Sequence, residues 1–496
     1  MSRFDVIIIG CGPAGERAAI QAARAGRQVA VIERHNVVGG TAVNWGTIPS
    51  KTLRESAMLV QSLTRRKVEG FDFRLADRIS ISDFMFRERL VVQRELELIN
   101  QSLDRYRIEL FQGEARFVDP HTVALVGVDD QSRIRLSGEV IVIATGTSPN
   151  HPADVPFDSE TVFDSDGILQ LPRMPRSMVV LGAGVIGVEY ASIFAALGLQ
   201  VTLIDTRDRL LPYLDREIAG ILERELRRMG VALIHDDRHA AIERCDSDSG
   251  ASSRSTEGAR NRNCGSSRPY GTLREDRNSP RVRLSTRSGN EIEADVLLYC
   301  VGRDGNTRDL GLESVGIHPT ERGLLQVNTD FQTAVPHIYA VGDVVGYPAL
   351  ANTAMDQGRR AIRHALGLQG PTGRTEALAF AIYSIPELSH VGETEESLRQ
   401  RGAEYVVGRA EYAMNPRGQI LGETGGMLKL LFARPSGVLL GAHMLGRGAS
   451  ELIHIGQAFM LMGSTAEQIA ETLFNYPTLS DLYRHAALVA LKELRR

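Results

Sequence analysis

A chain of 496 residues is too long for one hydrophobic core, which predicts two to four domains. Its hydrophobic share of 43% and charged share of 24% are ordinary for a globular protein, and a net charge of −4 gives no global attraction to nucleic acid or an acidic membrane surface. The four cysteines, Cys11, Cys245, Cys264 and Cys300, form no CxxC pair, so neither a metal site nor a disulfide framework is expected. The opening "MSRFDVIIIGCGPAG" has a short apolar run without a basic region or a small-residue cleavage site, and it reads as a strand entering a glycine turn. No run of about 18 apolar residues predicts a transmembrane helix. A soluble protein of the reducing cytoplasm is the expectation.

"FDVIIIGCGPAGERAAIQAARAG" is the first predicted unit: a buried strand, a glycine turn and a helix. Gly10, Gly12 and Gly15 form GxGxxG directly after residues 6–9, with Pro13 and Ala14 inside the turn. That spacing serves a tight turn, close backbone approach to a pyrophosphate and close helix–strand packing. The helix N-terminus then offers free N–H groups and a positive dipole end to the phosphates. A second strand, "QVAVIE", ends in Glu33, 23 residues after Gly10, where a carboxylate can accept hydrogen bonds from a ribose; Arg34 follows it. Next comes "GGTAVNWGTIPSK", residues 39–51, and then "VIVIATGTSPN", a strand ending at Thr145 and Gly146.

The pattern recurs in "SMVVLGAGVIGVEYASIFAALG". Gly182, Gly184 and Gly187 surround Val185 and Ile186, Glu189 follows, and "QVTLID" ends in Asp205, again 23 residues after the first glycine. An acid there favours the free 2′-OH of NAD. Arg207 and Arg209 could instead meet a 2′-phosphate through a charge-assisted contact of about 1.5–3 kcal/mol. The mixed set predicts that both nucleotides are accepted, while solvated loop arginines are the plain alternative. Residues 246–280 are rich in Ser, Gly, Arg and Asn with almost no large apolar side chains, which predicts a disordered insertion between "GVALIH" and "RVRLST". "LLYCVGRDGNT" ends a strand at Gly302 and Arg303, and "HIYAVGDVVGYP" places Gly342 and Asp343 after residues 338–341, where a carboxylate can hold a ribityl hydroxyl.

In order and spacing these units resemble the two-dinucleotide flavoprotein disulfide reductases, the family of glutathione reductase and dihydrolipoamide dehydrogenase, from Phe4 to about Leu488. Within it, "WGTIPSK", "VFDSDGIL", "TRDRLL", "VGDVVGYPALA", "MDQGR", "HIGQA" and "FNYPT" resemble the soluble pyridine nucleotide transhydrogenases. The resemblance implies an α/β chain of two Rossmann-like domains, one for FAD and one for NAD(P), followed by a C-terminal α+β dimerisation domain. Residues 1–150 and 304–370 would form the FAD domain, 151–303 the NAD(P) domain and 371–496 the interface domain. It assigns Gly39, Gly40, Thr41, Ala115, Thr145, Gly146, Arg303, Gly342 and Asp343 to FAD beside the first glycine turn, and Gly302 to NAD(P) beside the second.

The family motif GGTCxxxGCxPSK has its two redox cysteines where this chain has Ala42 and Thr47. The family's HPTxxE acid–base pair becomes "YPTLSD", with Tyr476 and Asp481. Tyrosine, with a reference pKa near ~10, is a poor base at neutral pH. Thiol relay and base are replaced together. Lys51 and Glu189 match the family's charge pair beside the flavin, and a cation there favours reduced flavin. The implied reaction is NADPH + NAD⁺ ⇌ NADP⁺ + NADH by ping-pong exchange through FAD, in a homodimer or larger homo-oligomer, without metal. A quinone or dye reductase, and a non-catalytic NADPH-sensing flavoprotein, are the competing readings.

Overall fold

The computed structural model describes residues 2–65, 81–126, 134–171, 173–245, 280–369 and 377–496. Apart from Pro280, the expected insertion 246–280 lies outside the described residues, as does Cys264.

The first sheet has seven strands. Its centre is Ser2–Ile9, parallel to Val29–Glu33 on one side and to Ile134–Ile143 on the other. Val6, Ile7, Ile8 and Ile9 are all buried, as a parallel strand covered on both faces requires, and this is why they form an unbroken apolar run. The ten-residue strand Ile134–Ile143 pairs along its far edge with two partners: antiparallel Thr122–Val126 near its start and parallel Ile338–Ala340 near its end. Residues far apart in the chain thereby join one sheet.

The second sheet has five parallel strands in the order Ala232–Ile234, Gln200–Ile204, Ser177–Leu181, Val296–Tyr299, Val162–Asp164. An antiparallel three-stranded sheet leans on it, formed by His239–Cys245, Arg281–Thr286 and Glu291–Ala294. The first two of these strands are neighbours in the sheet, and His239–Cys245 carries too weak an apolar alternation to be read from sequence. The third sheet, five antiparallel strands, includes Met427–Ala433 and Leu439–Leu445, followed by the helix Ala449–Leu461. Among the described residues no helix is long and apolar enough to cross a membrane.

One apolar cluster spans all three regions. It joins Leu53, Ala57 and Phe84 to Val188 and Ala191 of the second unit and to Ile382, Ile385 and Leu445 of the third sheet. Burial of such surface provides most of the docking energy. Ion pairs then set the register. Arg54 is buried and donates to Glu387 at 2.9 Å and to the Ser384 carbonyl at 3.0 Å. Lys429, 1% exposed, donates to Asp215 at 2.8 Å, to Glu217 at 2.9 Å and to Glu395 at 2.5 Å. Asp215 is itself the N-cap of the helix Arg216–Arg228, so the third sheet grips the start of a second-unit helix.

Burial alone would raise the pKa values of Glu395 and Glu217, but hydrogen bonds from Lys429 and their other partners hold both carboxyls below the usual range. Such groups stabilise the fold above the ordinary glutamate pKa of about 4.3 and lose that contribution as pH falls through their folded values. Lys429→Met should cost about 3–5 kcal/mol in urea unfolding near pH 7, because it leaves buried carboxylates without their cation. The deficit should narrow below about pH 4, where the native pairing is lost by protonation.

Candidate active site

Both glycine turns are built alike. Gly10 follows its strand with φ +102° and Gly182 with φ +95°, a region that suits glycine. A Cβ on Gly15 or Gly187 would come within 1.9 Å of the Gly10 or Gly182 carbonyl, so each helix starts tight against its strand end. Gly12 and Gly184 are the N-caps of Pro13–Arg24 and Val185–Ala196, and no side chain caps either helix. Those uncapped amides are an anion site, present twice.

The strand-end acids close each turn. Glu33 accepts from the Cys11 N–H at 2.8 Å and the His35 N–H at 3.0 Å. Asp205 accepts likewise from the Ala183 N–H at 2.5 Å and the Arg207 N–H at 2.9 Å. The following arginines then diverge. Exposed Arg34 turns to the His35 ring at 3.1 Å. Arg207 folds back on Asp205, Nε to Oδ1 at 2.8 Å and Nη2 to Oδ2 at 2.6 Å. Arg209 donates to the Pro212 carbonyl at 2.6 Å and takes no part in that pair. Burial opposes ionisation of Asp205, but Arg207 and the two N–H donors win and hold its carboxyl below the usual range.

The surroundings of the two turns also differ. A Cβ on Gly40 would lie 2.8 Å from the Gly12 Cα, so residues 39–41 cover the first turn. Gly342 lies over the start of the same helix, where its Cβ would meet the Ala14 methyl at 3.0 Å. The buried side chain of Gln357, within the MDQGR stretch, accepts from the Gly342 N–H at 2.7 Å and fixes that approach. Asp343 follows with its pKa raised by burial, against the opposing pull of Arg303. Thr145, beside Gly146, holds a buried hydroxyl without a protein partner. Arg303 donates to the Thr147 carbonyl at 2.8 Å and to Asp166 at 3.3 Å, tying the two halves together. Gly302 has φ +87°, and a Cβ there would meet the Arg322 guanidinium at 2.9 Å. Ala115 packs its methyl into the core below the first sheet and brings no polar side chain to the site.

Lys51 and Glu189, 138 residues apart, meet at 2.7 Å. Lys51 lies near the start of the helix Thr47–Arg65 and Glu189 on Val185–Ala196. The second Glu189 oxygen accepts from the Tyr383 N–H at 2.8 Å, and the Lys51 ammonium lies 5.1 Å from the Tyr383 ring centroid. Tyr383 was not flagged by sequence, since no motif marks an aromatic residue in a strand-end loop. On the thiol side, Ala42 lies within the short helix Gly40–Asn44, Thr47 starts the helix Thr47–Arg65, and neither offers sulfur. Asp481 pairs with His485 at 3.3 Å, and Tyr476 projects with 76% of its surface exposed. The acid and the tyrosine thus make no pair within the chain.

The sequence pattern of the pyridine nucleotide-disulphide oxidoreductases matches residues 4–358, and that of their dimerisation domain matches residues 378–487. The chain belongs to the pyridine nucleotide-disulphide oxidoreductase family. A soluble pyridine nucleotide transhydrogenase of Mycobacterium bovis is 42% identical across 100% of this chain and 98% of its own. One of Pectobacterium atrosepticum is 41% identical across 99% and 98%. Among solved structures, LpdA of Mycobacterium tuberculosis aligns with a TM-score of 0.84 at 27% identity, covering 98% of this chain and 99% of its own. The HOCl-induced flavoprotein disulfide reductase RclA of Escherichia coli aligns with 0.82 at 28% identity, in its Cu(II) complex, covering 99% and 100%.

Pyridine nucleotide-disulphide oxidoreductases bind FAD, and the first turn fits one. Its uncapped helix end, the free Thr145 hydroxyl and the carboxyls of Glu33 and Asp343 surround space that the glycines keep clear. Two of the described thiols, Cys11 and Cys300, do not suit redox exchange. Burial, with Glu33 and Glu16 nearby, pushes Cys11 up to about 12, and burial pushes Cys300 above the usual thiol range. At pH 8 both should therefore resist a thiol reagent such as DTNB in the native protein and react after urea unfolding, read by mass spectrometry of labelled peptides.

Proposed function

We propose that the chain is a soluble, FAD-dependent transhydrogenase that catalyses NADPH + NAD⁺ ⇌ NADP⁺ + NADH. The observation that carries this reading is an intact Lys51–Glu189 pair beside two nucleotide turns, in a chain with Ala42 and Thr47 at the disulfide positions. The full-length relatives named soluble pyridine nucleotide transhydrogenase support it.

In this reading residues 1–150 and 304–370 hold FAD and 151–303 receive NAD(H) and NADP(H) in turn. Residues 371–496 form the interface of a cytoplasmic homodimer or larger homo-oligomer. The first turn binds the resident pyrophosphate through Gly10, Gly12, Pro13, Ala14 and Gly15. Glu33 and Arg34 take the adenosine side, residues 39–41 and Ala115 border it, Thr145, Gly146 and Arg303 line the middle, and Gly342 and Asp343 take the ribityl chain. The second turn, Gly182 to Gly187, binds the exchanging pyrophosphate, with Gly302 behind it. Bound FAD supplies a two-electron centre that can take hydride from one nicotinamide and give it to another. Lys51 holds a positive charge beside that centre, and Glu189 keeps the ammonium in place. Position is the protein's main contribution, since hydride transfer needs no acid or base.

Anaerobic protein reduced by NADPH should pass hydride to thio-NAD⁺ in a single turnover and stay inert toward oxidised glutathione and lipoamide. No thio-NADH, with rapid reoxidation by a quinone, would replace this reading with the reductase one.

Asp205 and Arg207 would together read the adenosine ribose. With Arg207 on Asp205 the carboxylate charge that would repel a 2′-phosphate is compensated, and the guanidinium has a partial charge-assisted bond to offer it. Arg207→Ala should weaken NADP⁺ binding to the oxidised protein about tenfold, from about 1.5 kcal/mol, and change NAD⁺ binding less than about threefold. Arg209→Ala, turned to Pro212, should change neither beyond about twofold by isothermal titration.

A further inference from the structure

The charge pair at the proposed hydride site has a third member, and it comes from the dimerisation region. Tyr383 follows the strand Phe380–Ile382, inside the span that matches the dimerisation domain. Its N–H donates to Glu189 at 2.8 Å, on the oxygen that Lys51 does not use. Its ring lies 5.1 Å from the Lys51 ammonium, within the range of a cation–π contact. Its hydroxyl faces the Ser450 side chain.

The tyrosine is held from behind by a buried chain. Ser450 Oγ donates to Glu387 at 2.7 Å, and Arg54 donates to the other Glu387 oxygen at 2.9 Å. Arg54 also donates to the Ser384 carbonyl, next to Tyr383, at 3.0 Å. From the other side, the Ile385 N–H donates to Ser192 Oγ at 3.0 Å, one helical turn beyond Glu189. Arg54 and Lys51 lie three residues apart on one helix, so the chain of contacts closes on itself. Lys51 has an ordinarily mobile side chain with three rotatable donors. Here one donor is fixed by Glu189, a long 3.4 Å contact reaches Ser50, and the ring limits where the ammonium can swing.

We propose that Tyr383 is a positioning residue that sets the Lys51 ammonium and the Glu189 carboxylate for hydride transfer. The proposal rests on the reading that FAD binds beside Lys51, and not on which acceptor is used. Because a fixed cation favours the negative charge of the reduced cofactor, the effect should register in the flavin midpoint potential.

The test is equilibrium reduction of the FAD holoenzyme against reference dyes, for wild type, Tyr383→Phe, Tyr383→Leu, Lys51→Met and the Tyr383→Leu/Lys51→Met double variant. Tyr383→Leu should shift the reduced-to-oxidised equilibrium about tenfold toward oxidised, about 30 mV for a two-electron couple. Tyr383→Phe keeps the ring and the backbone N–H, and should stay within about twofold of wild type. The double variant should match Lys51→Met alone, because the ring acts through the ammonium. Additive shifts, no shift in Tyr383→Leu, or an equal shift in Tyr383→Phe would each overturn the proposal, whether or not NAD⁺ exchange survives. Should Tyr383→Leu fail to retain FAD, phenylalanine and 3,5-difluorophenylalanine at 383 decide. The fluorinated ring has the same shape and a weaker negative face, so it should lower the potential, and equal potentials would sink the idea.

Discussion

The ion pair between Lys51 and Glu189 is the contact that the remaining architecture serves. Its partners come from two separate glycine-turn units, 138 residues apart, so it forms only when those units are docked within a few tenths of an ångström. A partly exposed pair contributes little to stability, so the pair does not explain the docking. The docking comes from the apolar cluster that runs from Leu53 and Ala57 through Val188 to Ile385, with Arg54–Glu387 and the Lys429 tripod fixing the register. Rigid packing on three sides is what allows one charged atom to be placed for chemistry.

The two glycine units differ where their tasks would differ. Both present an uncapped helix end, and both close their turn with an acid on a backbone N–H. The first is covered by residues 39–41 and by Gly342 at the start of its helix. The second has nothing within 4 Å of where a Gly184 Cβ would point. An enclosed turn suits a nucleotide that stays and an open turn suits one that exchanges. The duplication supplies the geometry, and residues 39–41 with Gly342 enclose the first copy.

The glycine turns were legible because their chemistry is local: a strand, a positive-φ glycine and a helix start leave a spacing that few other structures need. Lys51 and Glu189 were legible through their motif frames, although their contact depends on packing that spans three sheets. What could not be read was which partner each side chain takes, near or far in the chain. Arg207 reads from sequence as a group free for phosphate, whereas the structure spends its guanidinium on Asp205 two residues away. Arg209, equally plausible on paper, turns to a backbone carbonyl. Tyr383 and the Lys429 cluster carry no motif, and the MDQGR stretch that holds Gln357 does not name its contact, since each is defined by what faces it. The strand His239–Cys245 was missed because its burial barely alternates, and propensity is weak where packing decides.

The replacement of the thiols places a demand on the second unit. With Ala42 and Thr47 in place of a disulfide, and with Asp481 engaged by His485 rather than by Tyr476, no sulfur route among the described residues leads away from the proposed flavin position. Hydride that enters from one nicotinamide must leave to another through the same opening. A pocket that bound only the phosphorylated nucleotide would then stall with its own product. The ribose end has to tolerate both forms at comparable cost. An acid alone would repel the 2′-phosphate, and an uncompensated arginine would leave the unphosphorylated form at a disadvantage. In the proposed function the Asp205–Arg207 pair would avoid both extremes, because each charge is already answered by the other. Modest discrimination at that end is thus a requirement of a reaction whose donor and acceptor share one site.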